Sequence, residues 1–137
     1  MSTCPKLFIT EFLVDYDAAI KIVAILSESD ASQICTYGQT LGFFLSFAAA
    51  TKNPKVKVIG GRNLISDADD FRFNLASEWE LDPTEIIIPE DYPKKLMPIN
   101  CAEKLKQPIY MTGSKLDKTT PLWMSKSGYE KIKSPKN

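Results

Sequence analysis

The chain contains no histidine in 137 residues. Imidazole is the usual proton-accepting base of acyl-transfer chemistry, and the side chain whose ordinary pKa lies nearest neutrality. Without it, Ser–His–Asp and Cys–His catalysis lie beyond this polypeptide acting alone. The commonest metal ligand is missing too. A zinc site would have to gather cysteines and carboxylates from scattered places, and no metal or other cofactor is expected. Cysteine is scarce: Cys4, Cys35 and Cys101 are far apart, odd in number and without metal or redox spacing. Cys35 lies in an apolar run and reads as a small core residue, and reduced thiols in a cytoplasmic protein are the expected state. An excess of charge is also absent, because 17 basic and 17 acidic residues cancel. No net field draws the chain to nucleic acid or to an anionic membrane, and near-neutrality favours association. The locally basic end (Lys126, Lys131, Lys133, Lys136) reads as a solvated tail. No apolar run approaches the roughly 20 residues of a membrane span. The opening MSTCPK has neither the charged nor the apolar region of a signal peptide.

What is present points to one α/β domain over residues 1–137, organised around residues 32–47, SQICTYGQTLGFFLSF. An apolar run ending at Tyr37 meets Gly38-Gln39-Thr40-Leu41-Gly42, and an almost wholly apolar helical pattern follows. This spells a strand, a tight turn and a buried helix. The apolar centre of the strand predicts cover on both faces. Gly38 is expected to permit the bend, and Gly42 to let the helix pack close to the strand. Upstream, residues 6–14 are rich in aromatic and β-branched side chains and read as a strand. Asp15 or Asp17 would then cap a helix over residues 18–28.

Downstream comes a strand at 56–60, then Asp67, Asp69 and Asp70, which read as a capping or solvated loop in place of a calcium loop. A helix at 71–79, a turn at Asp82-Pro83-Thr84, an extended piece at 85–89 and a loop at 90–98 follow. Residues 99–105 suggest a turn or two of helix. A strand at 107–113 and a final helix at 122–132, with Pro121 in its first turn, close the pattern. Strands alternating with helices predict a three-layer α/β/α sandwich on a mostly parallel sheet of about four strands.

Two segments resemble the α/β-hydrolase fold superfamily. Tyr37 to Gly42, YGQTLG, is similar to the G-x-S-x-G nucleophile elbow, with Thr40 in the serine's place. Gly113 to Pro121, GSKLDKTTP, resembles the family segment in which a strand ends in glycine, an aspartate follows, and a proline opens the next helix. The resemblance runs over residues 15–137 and covers part of a hydrolase. The family's first strands, its last strand and its catalytic histidine have no counterpart. It implies Thr40 at the nucleophile position, Asp117 at the triad acid, and Leu41, with Gln39 beside it, at an oxyanion or anion site.

The residues by themselves suggest blander roles. Thr40 reads as a helix-start residue whose hydroxyl caps the N-terminus, and Asp117 as a loop aspartate with local backbone bonds. Lys115 or Lys118 could serve as base only if strongly buried. The expectation is a catalytically inactive, hydrolase-like module acting by protein–protein interaction, in an accessory or immunity-like role. A protein partner or second copy would pair along an exposed sheet edge such as strand 107–113, with Trp123 as an exposed aromatic. The alternative is an esterase- or acyltransferase-type fragment whose triad a partner chain completes. A third reading is a module that binds a small anion at the strand ends.

Overall fold

The computed structural model describes residues 9–86 and 94–137. Helix α1 (Ile9–Val23) precedes strand β1 (Ile34–Gln39), helix α2 (Leu41–Lys52), strand β2 (Val56–Arg62) and helix α3 (Ala68–Glu78). A short helix α4 (Pro98–Cys101), strand β3 (Ile109–Thr112) and helix α5 (Leu122–Lys131) complete the order. The three strands are parallel and lie side by side in sequence order. The sheet aligns Tyr37 with Gly60 and Gly60 with Tyr110. Residues 135–137 add a parallel bridge to the outer side of β3: the Ile109 amide donates to the Pro135 carbonyl (2.9 Å), and the Asn137 amide to that of Ile109 (3.1 Å). The α/β class and the parallel sheet are as the sequence implies, with three strands in place of about four.

The missing strand is the one expected at 6–14. Its part from Ile9 onward is helical and runs unbroken through Asp15-Tyr16-Asp17. Leu13, Tyr16, Ile20 and Ala24, at three-to-four spacing, turn toward the core. The β-prone composition misleads because this stripe crosses the expected boundary, and tertiary burial overrides local preference. Asp17 caps nothing. It pairs with Lys21 one turn later (2.6 Å) and accepts from the Asn53 amide (2.9 Å). The Lys21 bond, then that of Asn53, hold its carboxyl below the usual range.

Helix α2 is the centre of the molecule, buried from Phe43 through Ala50. Phe43, Phe47 and Ala50 pack on Ile34, Val56, Ile59 and Ile109 of the sheet. Phe44, Leu45 and Ala48 turn the other way, into a cluster with Phe71, Leu75 and Met124. Each fully buried phenylalanine contributes roughly 1.5–3 kcal/mol of transfer free energy.

The sheet's two faces differ. Along β1, Ile34, Thr36 and Gly38 are buried while Cys35, Tyr37 and Gln39 are exposed. Val58 and Tyr110 extend the exposed surface across the other strands. The apolar run at β1 therefore does not signal two covered faces among the described residues, and Cys35 is a surface residue outside the core.

Other elements follow the sequence more closely. Asp67 caps α3, accepting from the amides of Asp69 and Asp70. The turn at residues 82–84 is a 3₁₀ turn, Pro83–Glu85, with a reciprocal Asp82–Glu85 capping box. Of the extended piece expected at 85–89 and the loop at 90–98, residues 87–93 lie outside the described residues; Glu85 instead ends the 3₁₀ turn, and the described end of the loop holds a second 3₁₀ turn, Lys94–Leu96, before α4 begins at Pro98. The basic C-terminal segment is tied down. Lys131 reaches the Ile99 carbonyl, Lys133 pairs with Glu103, and Lys136 bonds the carbonyls of Tyr129 and Ile132.

Candidate active site

The carboxyl ends of β1, β2 and β3 present Thr40, Asn63 and the loop holding Asp117, in that order across the sheet. Residues beyond the ends of parallel strands lie where α/β folds commonly place their sites.

Thr40 joins β1 to α2 with φ 51° and ψ −109°. This is a conformation that L-residues seldom adopt, and a β-branched one least readily. Its amide donates to the Arg62 carbonyl (3.0 Å), and its own carbonyl accepts from Phe44 (3.1 Å) to start the helix. The hydroxyl makes no capping bond. The capping role expected from sequence is thus overturned. A cap needs extended backbone for its oxygen to reach back over the first turn, and the positive φ directs the side chain elsewhere. Leu41, the first residue of α2, has an amide with no acceptor within the helix, as for every first-turn N–H.

The glycines have roles other than those expected. No described glycine has positive φ, so the bend belongs to Thr40 itself. A Cβ on Gly38 would lie 2.1–2.4 Å from the Gly42 carbonyl group and the Phe43 nitrogen, whereas one on Gly42 would meet nothing within 4 Å. Gly38 is therefore the position that lets the helix start press against the strand. Gly61 adds to this, since a Cβ there would come within 2.3 Å of the Phe43 ring.

Asp117 is held by its two oxygens. One accepts from the Thr120 amide (2.7 Å), the local bond expected of a loop aspartate. The other accepts from the side-chain amide of Asn63 (2.5 Å), across 54 residues of sequence. Asn63, which sequence reasoning missed, is 3% exposed with φ 54°. Its side-chain oxygen accepts from the Ser114 amide (2.9 Å), and its own amide donates to the Thr112 carbonyl (2.9 Å). One residue at the end of β2 therefore braces both ends of the loop after β3. The available signal was an asparagine directly after a strand, since asparagine tolerates positive φ better than most residues.

Thr40 and Asp117 stand at the same end of the sheet, on strands separated by one neighbour. Two strand spacings put those strands roughly 10 Å apart. A group would have to bridge that gap for the two to act together, and the chain has no histidine to do so. Lys115 and Lys118 are exposed and lack the burial a lysine base requires. Gln39 is exposed at the end of β1, paired with Arg62. Among the described residues, no group of three or more Cys, Asp or Glu side chains is placed to hold a metal ion.

No protein-family model matches the sequence, and no curated protein matches it. Solved structures do. An acetyl xylan esterase from Paenibacillus sp. R4 aligns with TM-score 0.71 and 22% identity, over 93% of this chain and 44% of that one. Acetyl xylan esterase 1 from Thermoanaerobacterium sp. JW/SL YS485 aligns at 0.67 and 20%, over 91% and 44%. The Pyrococcus furiosus esterase PF2001 aligns at 0.73 and 12%, over 91% and 51%. The chain thus spans about half, or less, of the length of each. These likenesses establish the fold: the chain has a partial α/β-hydrolase fold, built around helix α2.

Proposed function

We propose that this hydrolase-like module works by binding another polypeptide and does not hydrolyse a substrate alone. The observation that carries this reading is the outer face of the sheet, where Cys35, Tyr37, Val58 and Tyr110 are exposed beside an edge of β1 that has no strand partner among the described residues. Parallel sheets normally have both faces covered, and an open edge offers backbone groups to a further strand. The edge differs from the one anticipated in the sequence, because β3 already bonds residues 135–137. The total lack of histidine supports the non-catalytic half of the proposal. Free thiols at Cys35 and Cys101 accord with a reducing, cytoplasmic setting.

Sedimentation equilibrium across a concentration series tests it, comparing the natural chain with Val58→Asp. The natural chain is expected to form a dimer or larger species that the charged variant does not. A monomer at every concentration, with β1 amides protected from hydrogen exchange, would sink the reading.

A second reading rests on the strained elbow and the braced Asp117. Both stand at the positions that the resemblance assigns to nucleophile and acid, and they would serve ester or amide hydrolysis if another chain supplied histidine and an oxyanion donor alongside the Leu41 amide. Hydrolysis of p-nitrophenyl acetate by the chain with its purified partner, compared with Thr40→Ala, distinguishes the two. Loss of turnover in the variant supports completion in trans, and equal rates remove Thr40 as the nucleophile.

A further inference from the structure

A trough between α1 and α2 lies away from the elbow. Tyr16 and Ser46 share a hydroxyl–hydroxyl hydrogen bond (2.7 Å) that pins the two helices together. Beside this contact their surfaces part around a cavity of about 360 Å³. Its apolar wall comes from Leu13, Val14 and Ala18 on α1, Ala48 and Ala49 on α2, and Leu96. Val14 and Ala18 are exposed along this wall, while Ala48 and Ala49 lie almost fully buried at its floor. A second hollow of about 400 Å³, lined by Asn53, Pro54 and Lys55, shares Asp17, Lys21 and Lys52 with the first. The two make one trough with an apolar end and a basic end. Each has a volume within the range of small-ligand sites.

The charges at the basic end do not balance. Among the described residues, Lys21, Lys52 and Lys55 share one lining carboxylate, Asp17. Asp17 is already engaged by Lys21 and Asn53. Asn53 in turn accepts from the Lys55 amide (3.0 Å), which fixes the corner where the basic residues meet. Among the described residues Lys52 and Lys55 form no ion pair. An occupant that complements this trough has an aliphatic body for the apolar wall and an anionic head for Lys52 and Lys55.

We propose that the α1–α2 trough binds a medium-chain alkyl carboxylate, with its tail along Leu13, Ala18 and Leu96 and its head between Lys52 and Lys55. The site is separate from the elbow and acid loop, and the proposal stands whether or not the module hydrolyses anything. Snorkelling lysines suit this role, because their stems line apolar surface while the ammonium groups meet the head.

The test is calorimetric titration of the full chain with octanoate, with amide NMR shifts to locate the ligand. Saturable binding is expected, with shifts confined to α1, the end of α2 and residues 53–55. The Lys52→Glu/Lys55→Glu double variant is expected to bind about tenfold more weakly, since charge reversal replaces two attractions by repulsions. Ala18→Trp, at a solvent-facing position that tolerates bulk, is expected to block the apolar end. Two ligand controls on the natural chain are independent of how any variant folds. Octylamine binding as tightly as octanoate overturns the charge argument. Inorganic phosphate binding as tightly overturns the need for an apolar tail. Octanoate that fails to saturate, or shifts located elsewhere, overturns the site.

Discussion

The inner and outer faces of the sheet are built from alternate residues of the same strands, yet they have opposite fates. On the inner face, Ile34, Val56, Ile59 and Ile109 lie beneath α2 with almost no exposure. On the outer face, Tyr37 is 68% and Tyr110 53% exposed. Both faces carry apolar side chains, so hydrophobicity does not separate them. Close backbone contact does. Gly38 and Gly61 lie on the inner face, where Phe43 and the first turn of α2 occupy the space a side chain would need. On the outer face a Cβ on Gly60 would meet, among the described residues, only the ring of Tyr37. The inner face is thus committed to one partner by backbone fit, and the outer face keeps an apolar surface with no such partner among the described residues.

This contrast can be broken by substitution. The largest effect is expected from Gly38→Ala. Its methyl group would collide with main-chain atoms that cannot swing aside, and a loss of about 3 kcal/mol or more is expected, on the scale of severe overpacking and backbone strain. Gly42→Ala, in the same helix start but facing open space, should raise stability by up to ~1 kcal/mol. Urea denaturation followed by circular dichroism measures both, and similar losses in the two would show that the inner contact is not what sets them apart.

Asn63→Ala comes next. It removes the brace on Asp117 and places alanine at positive φ. A loss of about 2 kcal/mol is expected. Asn63→Gly should recover part of it by relieving the backbone alone, and no recovery would assign the whole effect to the hydrogen bonds. Thr40→Gly is expected to gain about 1 kcal/mol by releasing backbone strain. A threonine acting as a helix cap would lose stability on that change, so the sign of the shift in denaturation midpoint decides between strain and capping.

The thiols sharpen the comparison in a different way. Cys101 lies in the core, and burial pushes its thiol up to about 11. Cys35 is exposed on the outer face. In a Cys4→Ser background, Ellman's reagent should react promptly with Cys35 and with Cys101 only on unfolding. The same raised value has a stability consequence. The unfolded thiol ionises near its ordinary value of 9 and the folded one near 11, so the contribution of Cys101 is complete below pH 9 and lost as pH rises through 11. Cys101→Ala should flatten that alkaline decline. The smallest stability effect is expected from Val58→Asp on the outer face, within about 0.5 kcal/mol in the isolated chain. A large destabilisation there would mean that the outer face contributes to the fold itself.

Sequence by itself determined the α/β alternation from β1 onward, the buried character of α2, the final helix after Pro121, and the pairing of an elbow-like turn with an aspartate loop. Those features rest on local periodicity, glycine and proline chemistry, and residue order, all of which are written along the chain. It also determined that no histidine is available. Tertiary structure decided the rest. It turned the β-prone start of α1 into helix because Leu13, Tyr16 and Ile20 bury as one stripe. It left Cys35 outside because the pleat sends alternate side chains to opposite faces and only one face is packed. It brought Asn63 to Asp117 across 54 residues, a contact no spacing rule foretells. And it gave Thr40 its positive φ, because the helix must start within contact distance of Gly38 and only one residue separates the end of β1 from the start of α2.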